Sequence, residues 1–502
     1  MTTPQETLAE LRERLATIHD INAATALLAW DQQTYMPKGA IAGRAEQMAT
    51  LSHLAHEMLT DAKTGSLLDK LKDKFDADTD EQAIVRVARR SFDRATKLPS
   101  ALVQELTRTT TLAEPAWAEA RAQSDWNLFA PHLEKIVALQ RQTAEAYGYT
   151  THPYDALLDE YEPGLTKQQL ETMFDKLKQG IVPLVKAIAA ENAEDRTAPL
   201  HGNFDEAKQE QFGKDVITRF GYDWTRGRQD RTVHPFCINF GSTDVRITTR
   251  FDSAWLSPAL FGTLHEAGHG MYEQGVDPKY NRTPLGGGTS MGVHESQSRL
   301  WENMVGRSRQ FWMRFYPDLQ KLYPESLSAV SLEDFYRAVN EVRPSMIRVE
   351  ADEVTYNLHV LLRFELETRL LEGSLKVADV PAAWNAKMTD YLGITPGTDA
   401  EGALQDIHWA GGMFAYFPTY TIGNVLAVQL YEKAIETHPT IPDEIAQGEF
   451  ANLYGWLREN IYQYGSKYEP NELIERATGR TLDTAPYLRY LHKKFGELYN
   501  LN

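Results

Sequence analysis

The chain has 502 residues, of which 24% are charged and 42% hydrophobic, a composition typical of a globular protein with a large core. Its formal net charge of −18 argues against nucleic acid or an anionic membrane as a partner. Cys237 is the only cysteine, so no intramolecular disulfide can form. Because the sequence has neither an apolar leader after Met1 nor an apolar run of about 18 residues, we expect a cytoplasmic protein.

Helical patterns dominate the first 225 residues. Thr3, Pro4 and Glu6 form a capping box with proline in the first turn, which predicts the start of a helix. Apolar residues then recur at helical spacing: Leu8, Leu11, Leu15, Ile18, Ile21 and Leu28. Similar periodicity recurs in residues 40–225, with proline and glycine at intervals, and we interpret these stripes as core-packing faces.

The strongest strand pattern lies between Cys237 and Phe251. Two β-prone runs, residues 238–240 and 245–251, flank the turn-forming residues 241–244, which predicts a β-hairpin. An exposed edge of such a hairpin could bind an extended peptide by strand pairing. A hairpin with a purely structural role is equally compatible with the sequence.

A helix is predicted directly after the hairpin, from Pro258 to Gln274. Ser257 and Pro258 are suited to the N-cap and the first turn, and Gly275 is suited to the C-terminal cap. Between them, small and apolar residues recur at helical spacing: Leu260, Phe261, Leu264, Gly268 and Met271.

His265, Glu266 and His269 form an H-E-x-x-H motif inside this helix. The two histidines are one turn apart on the same face, so both imidazoles can reach one metal ion. Glu266 is offset by roughly 100° around the helix, where it can reach a water molecule on the metal. The arrangement is the one a zinc hydrolase needs. A pair of ordinary helical histidines is the less favoured interpretation.

The third metal ligand has to come from elsewhere, since a catalytic zinc ion normally has three protein ligands and one open position. Metzincin spacing is excluded, because Tyr272 and Gly275 occupy the places of its glycine and its third histidine. A second helical pattern downstream contains His294, Glu295 and Glu302. Glu295 is preferred, because two histidines and a carboxylate form a common hydrolytic site, but the spacing leaves the other two open.

After this region, helices are predicted from Glu333 to Val342 and from Met346 to Glu372. Within the second of these, Arg348 and Asp352 have the spacing of an i,i+4 ion pair, and an exposed pair of little energetic weight is the ordinary interpretation. Residues 402–424 are rich in glycine, aromatic and polar residues and have weak periodicity. Such loops often line sites, although a loop anchored by buried aromatic side chains has the same composition.

Five segments, taken in order, resemble the Taq-type metallocarboxypeptidases, a family of zincins. They are His234–Phe236, Asp244–Thr248, the H-E-x-x-H run, Ile347–Asp352 and Gly402–Trp409. Residues 30–37, with the sequence WDQQTYMP, also resemble the family. The matches span nearly the whole chain, and no motif position departs from the family pattern.

The resemblance implies a mostly α, zincin-like fold with two lobes, a long active-site groove and a small β-sheet beside the metal helix. Residues 1–502 would form a single catalytic domain. The family acts as carboxypeptidases of broad specificity that release single residues from peptides with a free C-terminus, usually as homodimers. One divalent metal ion per chain is implied, zinc first and cobalt as the alternative. The family's third ligand corresponds to Glu295.

A mechanism follows as a hypothesis. With the metal held by the two histidines and Glu295, Glu266 takes a proton from water and later passes it to the leaving amine. Tyr420 is the first candidate to stabilise the oxyanion, with His234 and His408 as competitors. A structural role is the alternative for each of the three.

Recognition of a free C-terminal carboxylate is best achieved by arginine, through a bidentate ion pair. Arg348 is the first candidate because it lies in a family motif, and Arg246 is the second, although it could instead pair with Asp244. Gln405 and Trp409 are expected to shape the closed end of the groove. The predicted substrate-binding residues are therefore Arg348, Arg246, His234, Asp244, Gln405, His408 and Trp409.

Two rival functions use the same residues differently. A zinc endo-oligopeptidase or a dipeptidase would share the H-E-x-x-H chemistry, and only a requirement for a free C-terminal carboxylate distinguishes a carboxypeptidase from them. A non-catalytic peptide-binding protein with a structural metal is disfavoured, because a closed structural site has no use for Glu266.

Overall fold

The computed structural model describes residues 3–191 and 195–501 of the chain. Most of these residues are helical, and the strands among them form one small three-stranded sheet. The mostly α fold with a small sheet, expected from the resemblance, is therefore confirmed. Within the described ranges, no helix combines the length and the apolar character needed to span a membrane.

Among the described residues before the metal motif, the main elements are nine α-helices and three strands. In chain order they are α1 (Pro4–Thr34), α2 (Ile41–Thr60), α3 (Ala62–Leu71), α4 (Asp80–Lys97), α5 (Ser100–Gln123), α6 (Trp126–Tyr147), α7 (Pro153–Leu158), α8 (Lys167–Glu191), α9 (Glu206–Phe220), β1 (Gly227–Arg231), β2 (Cys237–Asn239) and β3 (Val245–Thr249).

From the metal motif to residue 501, the elements that the structure describes are all helical. They are α10 (Ser257–Gly275), α11 (Met291–Arg299), α12 (Arg309–Leu322), α13 (Pro324–Leu327), α14 (Leu332–Val339), α15 (Tyr356–Glu372), α16 (Val380–Leu392), α17 (Pro418–Thr437), α18 (Ile441–Gln447), α19 (Ala451–Asn460), α20 (Pro470–Thr478) and α21 (Ala485–Tyr499).

The chain divides into two compact units, each built from three separate segments. The first unit consists of Met1–Thr96, Thr197–Val339 and Gln429–Thr481, and the second of Lys97–Arg196, Asn340–Val428 and Leu482–Asn502. The sheet, α10 and α11 belong to the first unit, whereas α15 belongs to the second. Since neither unit is contiguous, a change of composition along the sequence could not have marked their boundaries.

The N-terminal helix begins as predicted. The Thr3 hydroxyl accepts a hydrogen bond from the Glu6 backbone N–H, and the Glu6 carboxylate accepts one from the Thr3 N–H. The first part of its apolar stripe is buried against α3 and α4 and against Val276, Tyr280 and Leu285. This core therefore fixes the segment that leaves the C-terminal end of α10.

The predicted hairpin is present as β2 and β3, which pair antiparallel with Ile238 opposite Arg246. A third strand, β1, pairs parallel with β3, so that the strand order is β1-β3-β2. β1 was not predicted, because its sequence GRQDR has no alternation of apolar and polar residues. The sheet packs on α10, where a Cβ atom on Gly270 would lie 3.2 Å from Ile247.

The metal helix α10 occupies Ser257–Gly275, one residue more at each end than predicted. The prediction that Ser257 is the N-cap is wrong: Leu256 is the residue before the first turn, and no side chain caps the helix start. Pro258 does lie in the first turn, where its missing N–H costs nothing.

Two other helix predictions need correction. The pattern around residues 294–303 is divided between α11 and a π-helical turn, Leu300–Val305. The helix predicted from Met346 begins only at Tyr356, and Arg348–Glu350 form a single 3₁₀ turn instead. Asp352 accepts hydrogen bonds from the Val354 and Thr355 N–H groups, and such local bonding competes with helix formation.

Candidate active site

Three ligand-type side chains converge at one point of the first unit. His265 and His269 project from α10 and Glu295 from α11, and their ligand atoms all lie within 4.8 Å of one another. Glu295 Oε2 is 3.7 Å from His265 Nε2 and 3.5 Å from His269 Nε2. Ligand atoms about 2.1 Å from a tetrahedral metal are about 3.4 Å apart, so this donor set fits a divalent ion such as zinc.

His265 is oriented by Glu302, one of the residues considered as a third ligand. The Nδ1 atom of His265 is 2.9 Å from Glu302 Oε2, which leaves Nε2 directed at the metal position. Arg299 and Arg307 each donate a hydrogen bond to the Glu302 carboxylate, at 3.2 and 3.3 Å. Burial opposes ionisation of Glu302, but Arg299 and His265 outweigh it and lower its pKa to about 2.

His269 is oriented by His294, the other residue considered as a ligand. The Nδ1 atoms of the two histidines are 2.6 Å apart, and His294 Nε2 is 2.7 Å from Glu273 Oε1. Both ring nitrogens of His294 therefore have partners within the protein. Burial lowers the pKa of His269 to about 3, so its imidazole is neutral at physiological pH, as a metal ligand must be.

Glu295 is held as an anion by Arg299, which donates from Nε to Glu295 Oε1 at 2.7 Å. Burial opposes ionisation of Glu295, but Arg299 and His265 lower its pKa far below the usual range. Sequence reasoning missed Arg299. The spacing could have indicated its role, because residue 299 is one helical turn from both Glu295 and Glu302.

Glu266 lies beside the three ligand-type residues and is only 7% exposed. Its carboxylate accepts no hydrogen bond from any side chain in residues 3–191 and 195–501. Burial raises its pKa to about 7, although His265 opposes this shift. A carboxyl group with a pKa near neutrality is suited to accept a proton and release it again.

Arg246 and Asp244 form an ion pair, which the sequence analysis gave as the alternative to substrate binding by Arg246. Arg246 donates from Nε and Nη2 to the two carboxylate oxygens of Asp244, both at 2.8 Å. Its guanidinium also packs on the rings of Trp30 and Phe240, 4.3 and 4.9 Å from their centres. His234 is an exposed residue of the loop before β2.

In the second unit, Arg348 and Arg363 share the carboxylate of Asp406. Arg348 Nη2 donates to Asp406 Oδ1 at 2.8 Å, and Arg363 Nε donates to Oδ2 at 2.7 Å. Arg348 also donates to the Tyr356 hydroxyl at 2.7 Å. The prediction of an exposed pair between Arg348 and Asp352 is wrong, because Arg348 is 3% exposed and its carboxylate partner is Asp406.

Charge is unevenly balanced in this cluster of Arg348, Arg363 and Asp406. Burial opposes ionisation of Asp406, but the two guanidinium groups lower its pKa far below the usual range. Burial lowers the pKa of Arg363 to about 10, so Arg363 is still protonated at neutral pH. Two cations therefore face one anion. Arg363 was missed by sequence reasoning, because nothing distinguishes it from a surface arginine of a long helix.

The polar side-chain groups of Gln405 and Trp409 form hydrogen bonds with other residues of the protein. Gln405 Oε1 accepts hydrogen bonds from Arg348 N and Arg363 Nη2, at 2.8 and 2.7 Å. Trp409 Nε1 donates to Glu367 at 2.9 Å. Gln405 thus positions both arginines, and Trp409 anchors the loop that carries Asp406.

Tyr420 and His408 lie next to Arg348 in the second unit. The Arg348 guanidinium carbon is 4.9 Å from the centre of the Tyr420 ring, and the Tyr420 hydroxyl is 3.4 Å from His408 Nε2. The structure therefore brings together Arg348, Gln405, His408 and Tyr420, four residues that come from two separate sequence motifs and the start of α17. Arg246, Asp244 and His234 belong to the first unit.

The chain matches known proteins over almost its full length. The sequence model of the family described as Carboxypeptidase Taq (M32) metallopeptidase matches residues 10–495. Thermostable carboxypeptidase 1 of Thermus thermophilus is 44% identical over 486 residues, which are 94% of this chain and 95% of that protein. Carboxypeptidase 1 of Bacillus subtilis is 41% identical, over 98% of each chain.

Solved structures give the same result. The M32 carboxypeptidase of Deinococcus radiodurans R1 is 45% identical and superposes with a TM-score of 0.96, over 99% of this chain and 100% of that chain. A carboxypeptidase structure from Pyrococcus furiosus is 40% identical and superposes with a TM-score of 0.95, over 99% of each chain. The chain therefore belongs to the M32 family of metallopeptidases and is a metallocarboxypeptidase, an enzyme that hydrolyses peptides.

Proposed function

We propose that this enzyme releases single C-terminal residues from peptides with a free carboxylate, with broad specificity. One divalent ion would be held by His265, His269 and Glu295, with Glu266 as general base and acid. The observation that carries the proposal is the position of Glu266, buried beside the three ligands and without a hydrogen bond from the described side chains. Zinc suits two imidazoles and a carboxylate at tetrahedral spacing, and cobalt is the alternative.

When bound, the ion supplies Lewis-acid chemistry: it polarises a carbonyl group and lowers the pKa of a water molecule. Glu266 takes the proton of the attacking water and later delivers it to the leaving amine. Burial raises the pKa of Glu266, which supports both steps because the carboxyl group accepts a proton more readily than an exposed glutamate does. Glu302 and His294 keep the ligand nitrogens of the two histidines directed at the ion.

Arg348 is our first candidate for binding the terminal carboxylate. Its cluster with Arg363 and Asp406 has one positive charge in excess, which a substrate carboxylate would neutralise. Arg246 is the second candidate, since its charge is already paired with Asp244. Gln405 and Trp409 would contribute by positioning these groups, and His234, Asp244 and His408 complete the proposed substrate-binding set.

Tyr420 is our candidate for stabilising the oxyanion. Its ring packs on the Arg348 guanidinium, so the phenol lies beside the group proposed to bind the substrate carboxylate. His408 is a weaker competitor, because burial lowers its pKa to about 4 and leaves it uncharged at neutral pH. His234 is exposed. Tyr420→Phe is expected to lower kcat and leave KM nearly unchanged.

The proposal is tested by mass spectrometry of products from one oligopeptide offered as the free acid and as the C-terminal amide, with and without chelator. We expect stepwise loss of single residues from the free acid alone, and no reaction in the presence of the chelator. Internal cleavage of both forms would contradict the exopeptidase activity while leaving the metal chemistry intact.

Two carboxylate variants serve as controls for each other. Glu266→Gln should keep the metal and lose most activity, because the ligands survive and the proton carrier does not. Glu295→Ala should lose metal affinity. Full metal content in Glu295→Ala would return His294 or Glu302 to consideration as the third ligand.

We also propose that residues 1–502 act as a single catalytic domain and that the enzyme is a cytoplasmic homodimer. These proposals rest on the family resemblance and on the composition of the chain. Sedimentation equilibrium tests the assembly: a homodimer has twice the chain mass of 56.9 kDa. A single species of the monomer mass at micromolar concentration would refute it.

A further inference from the structure

The two histidines of the motif are oriented by different chemical groups. His265 Nδ1 meets the Glu302 carboxylate, whereas His269 Nδ1 meets the imidazole of His294. We propose that His294 and Glu273 are positioning residues that form a hydrogen-bonded relay, which keeps His269 directed at the metal. The proposal rests on the metal site proposed above.

The direction of the hydrogen bonds in the relay follows from metal binding. If His269 binds the ion through Nε2, its ring proton is on Nδ1, and His294 Nδ1 must accept it. The proton of His294 is then on Nε2, which donates to Glu273 Oε1 at 2.7 Å. Without Glu273, His294 could take its other tautomer, in which two Nδ1–H groups would face each other at 2.6 Å. Glu273 therefore selects the tautomer that supports metal binding.

The far end of the relay is fixed by a glycine-rich loop. Glu273 Oε1 also accepts a hydrogen bond from the Gly288 N–H at 3.2 Å. The Ser466 hydroxyl donates to the carbonyl oxygens of Gly287 and Gly288, at 2.8 and 3.0 Å. The loop that holds Glu273 is thus itself anchored to another segment of the first unit.

The relay has little room to rearrange. Glu273 is 3% exposed. Gly288 lies so close to His294 that a Cβ atom on it would be 2.8 Å from the Cδ2 atom of the ring. Because Glu273 is buried, its hydrogen bond to His294 is costly to lose.

A role in metal positioning and a role in stability alone predict different results. A structural role predicts a lower melting temperature with unchanged metal affinity. The relay predicts weaker metal binding, since loss of the group that orients a metal-ligating histidine typically lowers metal affinity about 10–100-fold.

The experiment compares Glu273→Ala, Glu273→Gln and the control Tyr272→Phe in the full chain. Tyr272 is the neighbouring residue, and its hydroxyl accepts from the Thr289 N–H of the same loop but is not part of the relay. Zn²⁺ affinity is measured by competition with a chromophoric chelator, and the visible absorption of the Co²⁺ form reports on the ligand geometry. We expect about 10–100-fold weaker Zn²⁺ binding and an altered Co²⁺ spectrum for Glu273→Ala, near-complete rescue in Glu273→Gln, and no change in Tyr272→Phe.

Two results would overturn the relay: wild-type affinity and spectrum in a folded Glu273→Ala protein, or an equal loss in Tyr272→Phe. Absence of metal binding by the wild-type protein would instead refute the proposed function, so the two failures are distinguishable. If Glu273→Ala does not fold, His294→Asn and His294→Leu test the same relay. Asn offers an acceptor for His269 and should keep most of the affinity, whereas Leu should not. Equal affinities for these two variants would also overturn it.

Discussion

Gly268 and Ser298 lie in direct backbone contact where α10 crosses α11, and a Cβ atom on Gly268 would be only 2.7 Å from Ser298 Cα. It would be 2.5 Å from the carbonyl oxygen of Gln297. This close approach brings Glu295, three residues before Ser298, to the two histidines of α10. Glycine inside a helix costs about 1 kcal/mol relative to alanine, so the contact with α11 rather than helix propensity explains its presence.

The first prediction is that Gly268→Ala moves Glu295 away from His265 and His269, the proposed metal ligands. A methyl group cannot be accommodated against backbone atoms, so α11 must shift away from α10 and take Glu295 with it. We expect at least about tenfold weaker Zn²⁺ binding, measured by chelator competition. Gly262→Ala is the matched control on the same helix, because its nearest neighbour would be Thr249 Oγ1 at 3.7 Å. Equal affinities for the two variants would refute a spacing role for Gly268.

The second prediction separates a ligand from the group that orients it. Glu295→Ala removes a proposed ligand, whereas Glu302→Ala removes the carboxylate that contacts His265 Nδ1 and accepts hydrogen bonds from Arg299 and Arg307. We expect Glu302→Ala to weaken Zn²⁺ binding about 10–100-fold and Glu295→Ala to weaken it much further. Calorimetric titration of the metal-free proteins measures both. A greater loss in Glu302→Ala would identify Glu302 as the ligand.

The third prediction concerns the shared carboxylate of Asp406. Asp406→Asn leaves Arg348 and Arg363 buried without an anionic partner, which typically costs about 3–5 kcal/mol. Asp244→Asn is the matched control, because the Asp244 side chain is 43% exposed and that of Asp406 is 12% exposed. Because solvent reaches the Asp244 carboxylate, we expect its loss to cost at most about 1 kcal/mol. Urea denaturation followed by circular dichroism compares the two variants, and similar losses would contradict the excess of buried positive charge.

The parts of the site that could be predicted depend on local sequence. His265 and His269 share a helix face because of their spacing alone, and α10 has its own apolar stripe and flanking proline. Glu295 was one of three candidates by spacing, and only the family resemblance selected it. The other two candidates, Glu302 and His294, contact the Nδ1 atoms of His265 and His269.

The parts that could not be predicted depend on contacts between distant segments. Glu273 meets His294 from 21 residues away, and Arg363 meets Asp406 from 43 residues away, so no periodicity indicates either contact. The same reason explains the error at Arg348. Its segment has helical periodicity, but a hydrogen bond from its backbone N–H to Gln405 and the ion pair with Asp406 favour an irregular backbone over a helix.

The last prediction is a loss of stability at mildly acidic pH that originates in His408. Burial lowers the pKa of His408 to about 4; Arg348 adds to this shift and Asp406 opposes it. In an unfolded chain the pKa of histidine is about 6.5. Between these two values the unfolded state binds more protons than the folded state. The contribution of uncharged His408 to the free energy of unfolding is therefore fully present above about pH 6.5 and is lost as the pH falls toward 4. At pH 5 the loss relative to pH 7 is about 2 kcal/mol.

The measurement is urea denaturation of the metal-free protein at pH 7 and pH 5, for wild type and for His408→Asn. Asparagine does not titrate, so the variant should lose about 2 kcal/mol less than wild type between the two pH values. His53→Asn is the control, because the His53 side chain is 67% exposed and is surrounded by solvent in both states. If His408→Asn and His53→Asn show the same pH dependence as wild type, His408 is protonated without cost, and the region around Arg348 and Asp406 must admit water.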